Sequence, residues 1–238
     1  MERLFRLDGT IVEAVFLDVG GVFHLPDHRR VLDAFRRVGL EVDAARLDRA
    51  HYAGVNALRV WPEGEDAIWD AYMEAYALEA GAPERLGDVL AALLDAFAGP
   101  EIWSRQAPGS VDGLRALHAT GVTLAIVSNS DGTVEQRLAQ EAVCQVGSGA
   151  GVPVTVVVDS AVVGVAKPDP GIFGFALEAT GVSAERAVHV GDAVGADVEG
   201  ALAAGVRPLH LDPYGFCADR SHDHLAGLGE LAARLARP

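Results

Sequence analysis

The sequence is poor in positive charge, and this shortage restricts what the protein can bind. Its 238 residues include 19 lysines and arginines against 34 aspartates and glutamates, which gives a formal net charge of −15. Nucleic acids and anionic membranes are bound mainly through clustered basic side chains. We therefore expect no nucleic-acid partner and no membrane partner, while a local basic pocket for a phosphate group stays compatible with this composition.

Cysteines and long apolar runs are also scarce. The two cysteines, Cys144 and Cys217, lie far apart and lack the spacing of a disulfide framework or a metal site. The apolar runs are broken by Asp, Lys or Gly well short of the roughly 18 residues that a transmembrane helix needs. The first residues do not combine a basic start with an apolar core, so we expect a soluble, cytoplasmic protein.

The most informative stretch covers residues 14–22, with the sequence Ala-Val-Phe-Leu-Asp-Val-Gly-Gly-Val. An apolar run that ends at turn residues is typical of a strand buried on both faces of a parallel sheet. Asp18 then lies at the carboxyl end of this strand, at the sheet edge where α/β proteins bind ligands. Gly20 and Gly21 allow close approach of the backbone to a ligand. Alone, Asp18 could equally begin a turn.

Helical patterns dominate the segment from residue 26 to about residue 100, where no strand is evident. Four helix candidates occur, starting near residues 26, 43, 62 and 83, and their aromatic stripe is more typical of a helix core than of a ligand cage. Before this segment, Asp8-Gly9 predicts a turn, and a strand at Leu7 is poorly supported.

From Pro108 onwards, strands and helices alternate. Strands are predicted at 14–18, 122–127, 153–158, 187–190 and 207–211, followed by a closing helix that reaches about residue 236. This rhythm predicts an α/β fold, a Rossmann-like parallel sheet with helices on both faces. Residues 1–25 and 105–238 then form the core domain, and residues 26–104 form an inserted helical cap over the carboxyl edge of the sheet.

Three further segments place reactive side chains at strand ends or helix starts. Ser128-Asn129 closes the predicted strand at 122–127, where a hydroxyl and helix N-terminal amides suit an anion. Lys167 precedes Pro168-Asp169, and its ammonium could neutralise a phosphoryl oxygen beside Asp18. Asp192 ends another strand, and carboxylates from two strand ends suit Mg²⁺. Helix capping is the alternative role for each acidic or hydroxyl residue.

Taken in order, these segments resemble the four motifs of the haloacid dehalogenase-like hydrolase superfamily. The segments are Asp18-x-Gly20-Gly21, Ser128-Asn129, Lys167-Pro168-Asp169 and Gly191-Asp192 followed by Asp197. The resemblance implies a Mg²⁺-dependent phosphatase that acts on a small phosphorylated metabolite through an aspartyl-phosphate on Asp18. It further implies that Ser128, Asn129 and Lys167 bind the phosphoryl group, and that the metal ligands come from Asp18, the Gly20 carbonyl, Asp192 and Asp197.

The sequence departs from the family pattern at Gly20, where phosphatases of this kind usually carry a second aspartate. That aspartate protonates the leaving group and later activates water, a contribution worth about 10² to 10⁴ in rate. The nearest substitutes are His24, Asp27 and His28. A loop or helix-capping role is the alternative for each of these three residues.

Alternative functions stay open at this point. Phosphonate hydrolases of the family also lack the second aspartate but use a cap lysine, and residues 26–104 contain none. Haloacid dehalogenases need no metal and usually hold an aromatic residue in place of Gly20. A catalytically quiet, phosphate-binding relative is the third alternative. Substrate selection is assigned to cap residues His51, Tyr52, Arg59 and Trp61, and we expect a monomer or a homodimer.

Two histidine-containing segments are given structural roles. His189 lies within a predicted strand and is interpreted as a satisfied core histidine or as support for the metal site. Residues 221–224, Ser-His-Asp-His, could suggest a second metal, but they also suit the start of the last helix.

Overall fold

A six-stranded parallel sheet forms the centre of the computed structural model, which describes residues 5–58, 65–82 and 86–236. The strands of this sheet are β3 (Ala14–Leu17), β6 (Thr123–Ser128), β9 (Val157–Asp159), β10 (Ala187–Gly191), β11 (Arg207–Leu211) and β12 (Asp223–Leu225). Their spatial order is β12-β11-β10-β3-β6-β9. β3 therefore lies between β10 and β6, so Asp18 leaves the sheet near its middle.

Both faces of this sheet are covered, as the apolar composition of its strands predicts. Val15 and Leu17 pack into one buried cluster, and Ala14 and Phe16 pack into another on the opposite face. The covering helices are α5 (Ser110–Thr120), α6 (Val134–Gln140), α7 (Ser160–Val163), α8 (Gly171–Thr180), α9 (Glu199–Ala203) and α10 (Leu228–Leu235). A π-helical turn, Val194–Val198, precedes α9. The predicted Rossmann-like fold is thus confirmed.

The segment between β3 and β6 contains four helices with a hydrophobic cluster of their own. These helices are α1 (His28–Arg37), α2 (Leu47–Ala57), α3 (Glu65–Ala80) and α4 (Leu86–Phe97). Tyr72 and Tyr76 of the predicted aromatic stripe are buried in this cluster together with Met73. The segment enters through β4 (His24–Pro26) and leaves through β5 (Trp103–Gln106), which pair with each other. Its status as a separate cap domain at 26–104 stays a prediction.

Several predicted boundaries were wrong. The apolar run 153–158 is not one strand, because the chain leaves β8 (Val152–Val154), which pairs with β7 (Cys144–Val146), before it joins the sheet as β9. Residues 221–224 do not start the last helix, since β12 adds a sixth strand there and α10 begins at Leu228. β5, which begins at Trp103, was not among the predicted strands.

The lead-in to the sheet is a small hairpin. The turn at Asp8-Gly9 is confirmed, but Leu7 belongs to a strand after all, because β1 (Phe5–Leu7) pairs with β2 (Thr10–Val12). The buried Leu7 side chain stabilises this hairpin against the core. Within the described ranges, no helix has both the length and the apolar character needed to cross a bilayer.

Candidate active site

Three polar side chains stand at the carboxyl ends of three adjacent strands. Asp18 follows β3, Ser128 is the last residue of β6, and Asp192 follows β10. All three are buried and line the same cavity. Because adjacent parallel strands end at one edge of the sheet, positions that are far apart in the sequence converge here.

Lys167 reaches the same place from the loop before α8. Its Nζ lies 2.9 Å from Oδ1 of Asp18 and 2.5 Å from Oδ1 of Asp197, and the side chain is buried. Burial alone would lower the pKa of Lys167, but the charges of Asp18 and Asp197 raise it above its ordinary value. The lysine therefore stays a cation between two carboxylates.

Asp197 is held by the protein on both of its oxygens. Oδ1 contacts Lys167 and also Nε2 of His189 at 2.8 Å, and Oδ2 accepts the N–H of Ala193 at 3.0 Å. Although its burial opposes ionisation, the charge of Lys167 and the hydrogen bond from His189 keep the pKa of Asp197 well below its usual range. This arrangement makes Asp197 suited to fixing Lys167, with His189 as its supporting partner.

The carboxylates of Asp18, Asp192 and Asp197 can each bring an oxygen within 4.8 Å of the others. Burial, together with the charges of Asp197 and Asp192, raises the pKa of Asp18 to about 7 despite the neighbouring lysine. The cluster therefore has more negative charge than Lys167 balances, and a divalent cation would relieve this excess. Carboxylate oxygens are the ligands that Mg²⁺ prefers, so the donor set fits this metal.

Two glycines allow the carboxylates to approach the backbone this closely. A Cβ atom on Gly21 would lie 1.8 Å from Oδ2 of Asp192, and the positive φ of +66° at Gly21 disfavours other residues as well. A Cβ atom on Gly191 would lie 2.1 Å from Cγ of Asp197. Since these contacts are far below van der Waals distance, any larger residue would displace a carboxylate.

Asn129 uses its side chain to hold the loop of Lys167. Its Nδ2 donates to the carbonyl of Lys167 at 2.9 Å, and its Oδ1 accepts the N–H of Lys167 at 2.8 Å. These two bonds use one of the two Nδ2 protons and one lone pair of Oδ1, and the predicted contact between Asn129 and a phosphoryl group stays a prediction. The following Lys167–Pro168 peptide bond is cis.

Helix α2 brings two side chains from the helical segment onto the strand ends. Nε2 of His51 lies 3.0 Å from Oδ2 of Asp192, and Nδ1 lies 2.9 Å from the hydroxyl of Tyr72. Tyr52 donates its hydroxyl to the carbonyl of Gly21 at 2.7 Å. Sequence reasoning assigned His51 and Tyr52 to substrate selection but gave no sign of these contacts; Arg59 and Trp61 lie outside the described residues.

The cavity above the strand ends has a volume of about 820 Å³. Its floor is polar and contains Asp18, Ser128 and Asp192, whereas the helical segment contributes mainly apolar and aromatic walls. The walls include Val55, Leu58, Ile68, Trp69, Tyr72, Leu94, Phe97 and Trp103. The cavity therefore combines a charged floor with a largely apolar roof.

Only one of the three predicted substitutes for the missing aspartate lines this cavity. His24 is buried, its Nε2 lies 2.6 Å from the carboxylate of Glu141, and its Nδ1 is buried without a hydrogen-bond partner among the described residues. Asp27 instead caps helix α1, and His28 pairs with Asp48 at 2.8 Å. Glu141 gave no signal in the sequence, because it lies 117 residues from its partner.

Comparison with known proteins agrees with this geometry. The chain is 30% identical to a phosphoglycolate phosphatase of Rhodospirillum rubrum over 237 residues, which cover 96% of this chain and 84% of that protein. It is 34% identical to a phosphoserine phosphatase of Thermus thermophilus over 161 residues, or 67% of this chain and 59% of the relative. The chain thus matches somewhat more than half of the second relative's length.

A solved structure extends the comparison to the fold. The HAD phosphatase from Thermococcus onnurineus superposes with a TM-score of 0.56 at 20% identity, covering 94% of this chain and 98% of the other. The family model described as haloacid dehalogenase-like hydrolase matches residues 7–205, which include Asp18, Ser128, Lys167 and Asp192. The chain therefore belongs to the haloacid dehalogenase-like hydrolases.

Proposed function

We propose that this hydrolase is a Mg²⁺-dependent phosphatase that cleaves a small phosphate monoester through an aspartyl-phosphate on Asp18. The observation that carries the proposal is the convergence of Asp18, Ser128 and Asp192 at the floor of one cavity, with the ammonium of Lys167 in contact with Asp18. The two relatives described above, at 34% and 30% identity, are both named phosphatases. Because family membership alone does not determine the reaction, the proposal rests on these side chains.

The proposed reaction has two steps. A carboxylate oxygen of Asp18 attacks the phosphorus atom, and the bond between phosphorus and the ester oxygen breaks, with the electron pair leaving on that oxygen. Water then attacks the phosphorus of the aspartyl-phosphate, which releases phosphate and restores the carboxylate. Lys167 and the Ser128 hydroxyl face the phosphoryl oxygens and offset their charge.

Mg²⁺ would be held by Asp18 and Asp192 with the carbonyl of Gly20, and it would neutralise phosphoryl charge when bound. We assign Asp197 to positioning Lys167, since both of its oxygens already have protein partners. The unbalanced negative charge of the buried carboxylates favours a cation-dependent phosphatase over a metal-free haloacid dehalogenase. The missing cap lysine disfavours phosphonate hydrolysis.

We further propose that His24 acts as the base in the second step. Since the Glu141 carboxylate can only accept a hydrogen bond, Nε2 of His24 carries the proton and Nδ1 has the lone pair. Burial lowers the pKa of His24, so the ring is neutral at neutral pH. A neutral imidazole oriented by a carboxylate can accept a proton from water. In the first step, the leaving group departs without a proton from an aspartate at position 20. The proposal therefore favours esters with good leaving groups.

The apolar walls of the cavity support a substrate whose organic group is itself apolar or aromatic. A panel of phosphate esters tests this assignment, with phenyl and short alkyl phosphates compared with phosphoserine and phosphoglycolate. We expect the phenyl ester, which combines an apolar group with a good leaving group, to have the highest kcat/KM. Higher kcat/KM for the two carboxylated esters would contradict the substrate class and leave the phosphatase assignment intact.

The same panel tests the activity itself when it is run with Mg²⁺ and with a chelator. We expect turnover in Mg²⁺, loss of turnover on chelation, and loss of turnover in Asp18→Asn. Asp27→Asn is the matched control, because Asp27 caps helix α1 outside the cavity, so this variant should keep its activity. Turnover that persists in Asp18→Asn, or an inactive wild-type protein, would contradict the proposed function.

A further inference from the structure

A second group of metal-ligating side chains lies at the edge of the sheet, outside the carboxylate cluster. It consists of His210 on β11, Cys217 in the following loop, and His222 and His224 at β12. Each can offer one ligand atom, and these four atoms all lie within 4.8 Å of one another. His210 and Cys217 are buried, while His222 and His224 are partly buried. We refer to these four residues as the His₃Cys cluster.

The hydrogen bond from Nε2 of His210 directs the other ring nitrogen, Nδ1, into this cluster. Its Nε2 lies 2.9 Å from the carbonyl oxygen of Asp192, which can only accept, so Nε2 carries the proton. In the neutral ring, Nδ1 then holds a lone pair. Nε2 of His222 lies 3.2 Å from this Nδ1 and 3.9 Å from Sγ of Cys217. Three potential ligand atoms are therefore already adjacent.

His224 completes the group from the neighbouring strand position. Its Nε2 is buried and has no hydrogen-bond partner among the described residues. Its Nδ1 lies 3.7 Å from the carboxylate of Asp212 and 3.2 Å from the exposed Arg220. The same Asp212 oxygen accepts the backbone N–H of Cys217 at 2.9 Å, so this carboxylate holds the backbone of the cysteine and lies near an imidazole of the cluster. Carboxylates behind histidine ligands are a recurrent feature of protein zinc sites.

We propose that the His₃Cys cluster binds one Zn²⁺ ion in tetrahedral coordination. Three imidazoles and a thiolate are ligands that zinc prefers, whereas Mg²⁺ prefers oxygen. Bond lengths of about 2.0–2.1 Å to nitrogen and about 2.3 Å to sulfur place tetrahedral ligand atoms roughly 3.3–3.6 Å apart. The distances from His222 to His210 and Cys217, 3.2 and 3.9 Å, bracket this spacing. On binding, the Cys217 thiol loses its proton to solvent.

The site has a structural role, because four protein ligands leave no open position for a substrate. It also has a direct connection to the catalytic edge of the sheet. His210 would ligate zinc through Nδ1 while its Nε2 holds the carbonyl of Asp192. Zinc would thus fix the loop that carries Asp192, while the Asp192 side chain remains in the carboxylate cluster.

Cobalt(II) substitution in the full-length protein tests this proposal without an activity assay. The protein is freed of metal with a chelator, returned to a buffer with excess Mg²⁺ so that carboxylate sites are occupied, and titrated with Co²⁺. We expect one equivalent to give the strong ligand-field absorption of tetrahedral cobalt together with a thiolate-to-cobalt charge-transfer band. Added Zn²⁺ should then remove both absorptions, since zinc and cobalt compete for the same ligands.

Cys217→Ala and Cys144→Ala form a matched pair of variants. Both thiols are buried, but Cys144 lies on β7, outside the cluster. Cys217→Ala should lose the charge-transfer band and more than about 100-fold in zinc affinity, and Cys144→Ala should keep both. A wild-type titration without a charge-transfer band, or a band that survives in Cys217→Ala, would overturn the proposal. The wild-type titration decides the matter even if a variant does not fold.

Discussion

Nε2 of His51 lies 3.0 Å from Oδ2 of Asp192, although 141 residues separate them in the sequence. The carboxylate can only accept, so His51 donates from Nε2, and its Nδ1 accepts the hydroxyl proton of Tyr72. The helical segment therefore orients a carboxylate of the sheet edge directly. Because Asp192 is a proposed metal ligand, the position of the helical segment and the geometry of the proposed metal site depend on each other.

Replacement of His51 tests this connection. We expect His51→Gln to raise the Mg²⁺ concentration for half-maximal activity by about 10- to 100-fold, because a residue that orients a metal ligand is removed. His28→Gln is the matched control, since His28 also contacts a carboxylate, Asp48, but lies outside the cavity. Mg²⁺ titration of the initial rate measures both variants. Equal shifts in the two variants would argue against a specific role for His51.

Restoration of the missing aspartate is a second prediction. A Cβ atom on Gly20 meets no atom within 4 Å, and φ at this position is not positive, so a side chain fits. Gly20→Asp should raise kcat for esters with poor leaving groups by up to about 10²-fold, because it supplies a general acid. Gly20→Ala should give no such gain, since it adds volume without a proton. If kcat for esters with poor leaving groups were the same in Gly20→Asp and Gly20→Ala, the general-acid role of an aspartate at position 20 would be contradicted.

The buried ring of His24 predicts a loss of stability in acid. Desolvation holds the pKa of His24 below 6.5, so the unfolded chain binds a proton at a higher pH than the native protein does. The free energy of unfolding should therefore decrease as the pH falls below about 6.5. Urea unfolding at pH 7.5, 6.0 and 5.0 measures the effect. His24→Asn should show a smaller decrease than the wild type, while the exposed His118→Asn should not differ from it.

The strand-end residues could be predicted from the sequence, because a parallel sheet sends all its carboxyl ends to one edge. Asp18, Ser128 and Asp192 each follow or close an apolar run, and the order of the runs gives the fold. The sixth strand, β12, could not be predicted, because Asp223-His224-Leu225 has no apolar run. Residues 153–158 are nearly all apolar, so nothing in the sequence indicates that the chain passes from the β7–β8 pair to the central sheet within this run.

Contacts between segments that are far apart in the chain could not be predicted from the sequence either. His24 with Glu141, and His51 with Asp192, are 117 and 141 residues apart and meet only in the folded tertiary structure. The His₃Cys cluster has no motif spacing, since the pairing of β11 with β12 places His210 beside His224 and the loop between these strands brings Cys217 to them. Residue type indicated which side chains could react, but tertiary packing determined their partners.

Coupling between Lys167 and Asp197 is the last prediction. Lys167→Met leaves Asp18 and Asp197 buried without a cation, and we expect a loss of about 3–5 kcal/mol in the free energy of unfolding without metal. In the double variant with Asp197→Asn, the loss should be smaller than the sum of the single losses by about 0.5–3 kcal/mol, because the second change removes one of the unpaired charges. Urea unfolding of the four proteins gives this coupling energy.

The exposed pair Arg37–Asp95 is the matched control for this cycle, with Nη1 and Oδ2 2.7 Å apart. Its coupling should be below about 1 kcal/mol, since solvent screens both charges. Activity separates stability from catalysis. The double variant should lose less stability than the sum of the single losses, but it lacks the ammonium that the phosphoryl group requires and should stay inactive. Additive losses at Lys167 and Asp197 would contradict the role assigned to Asp197, namely holding a lysine whose charge is needed beside Asp18.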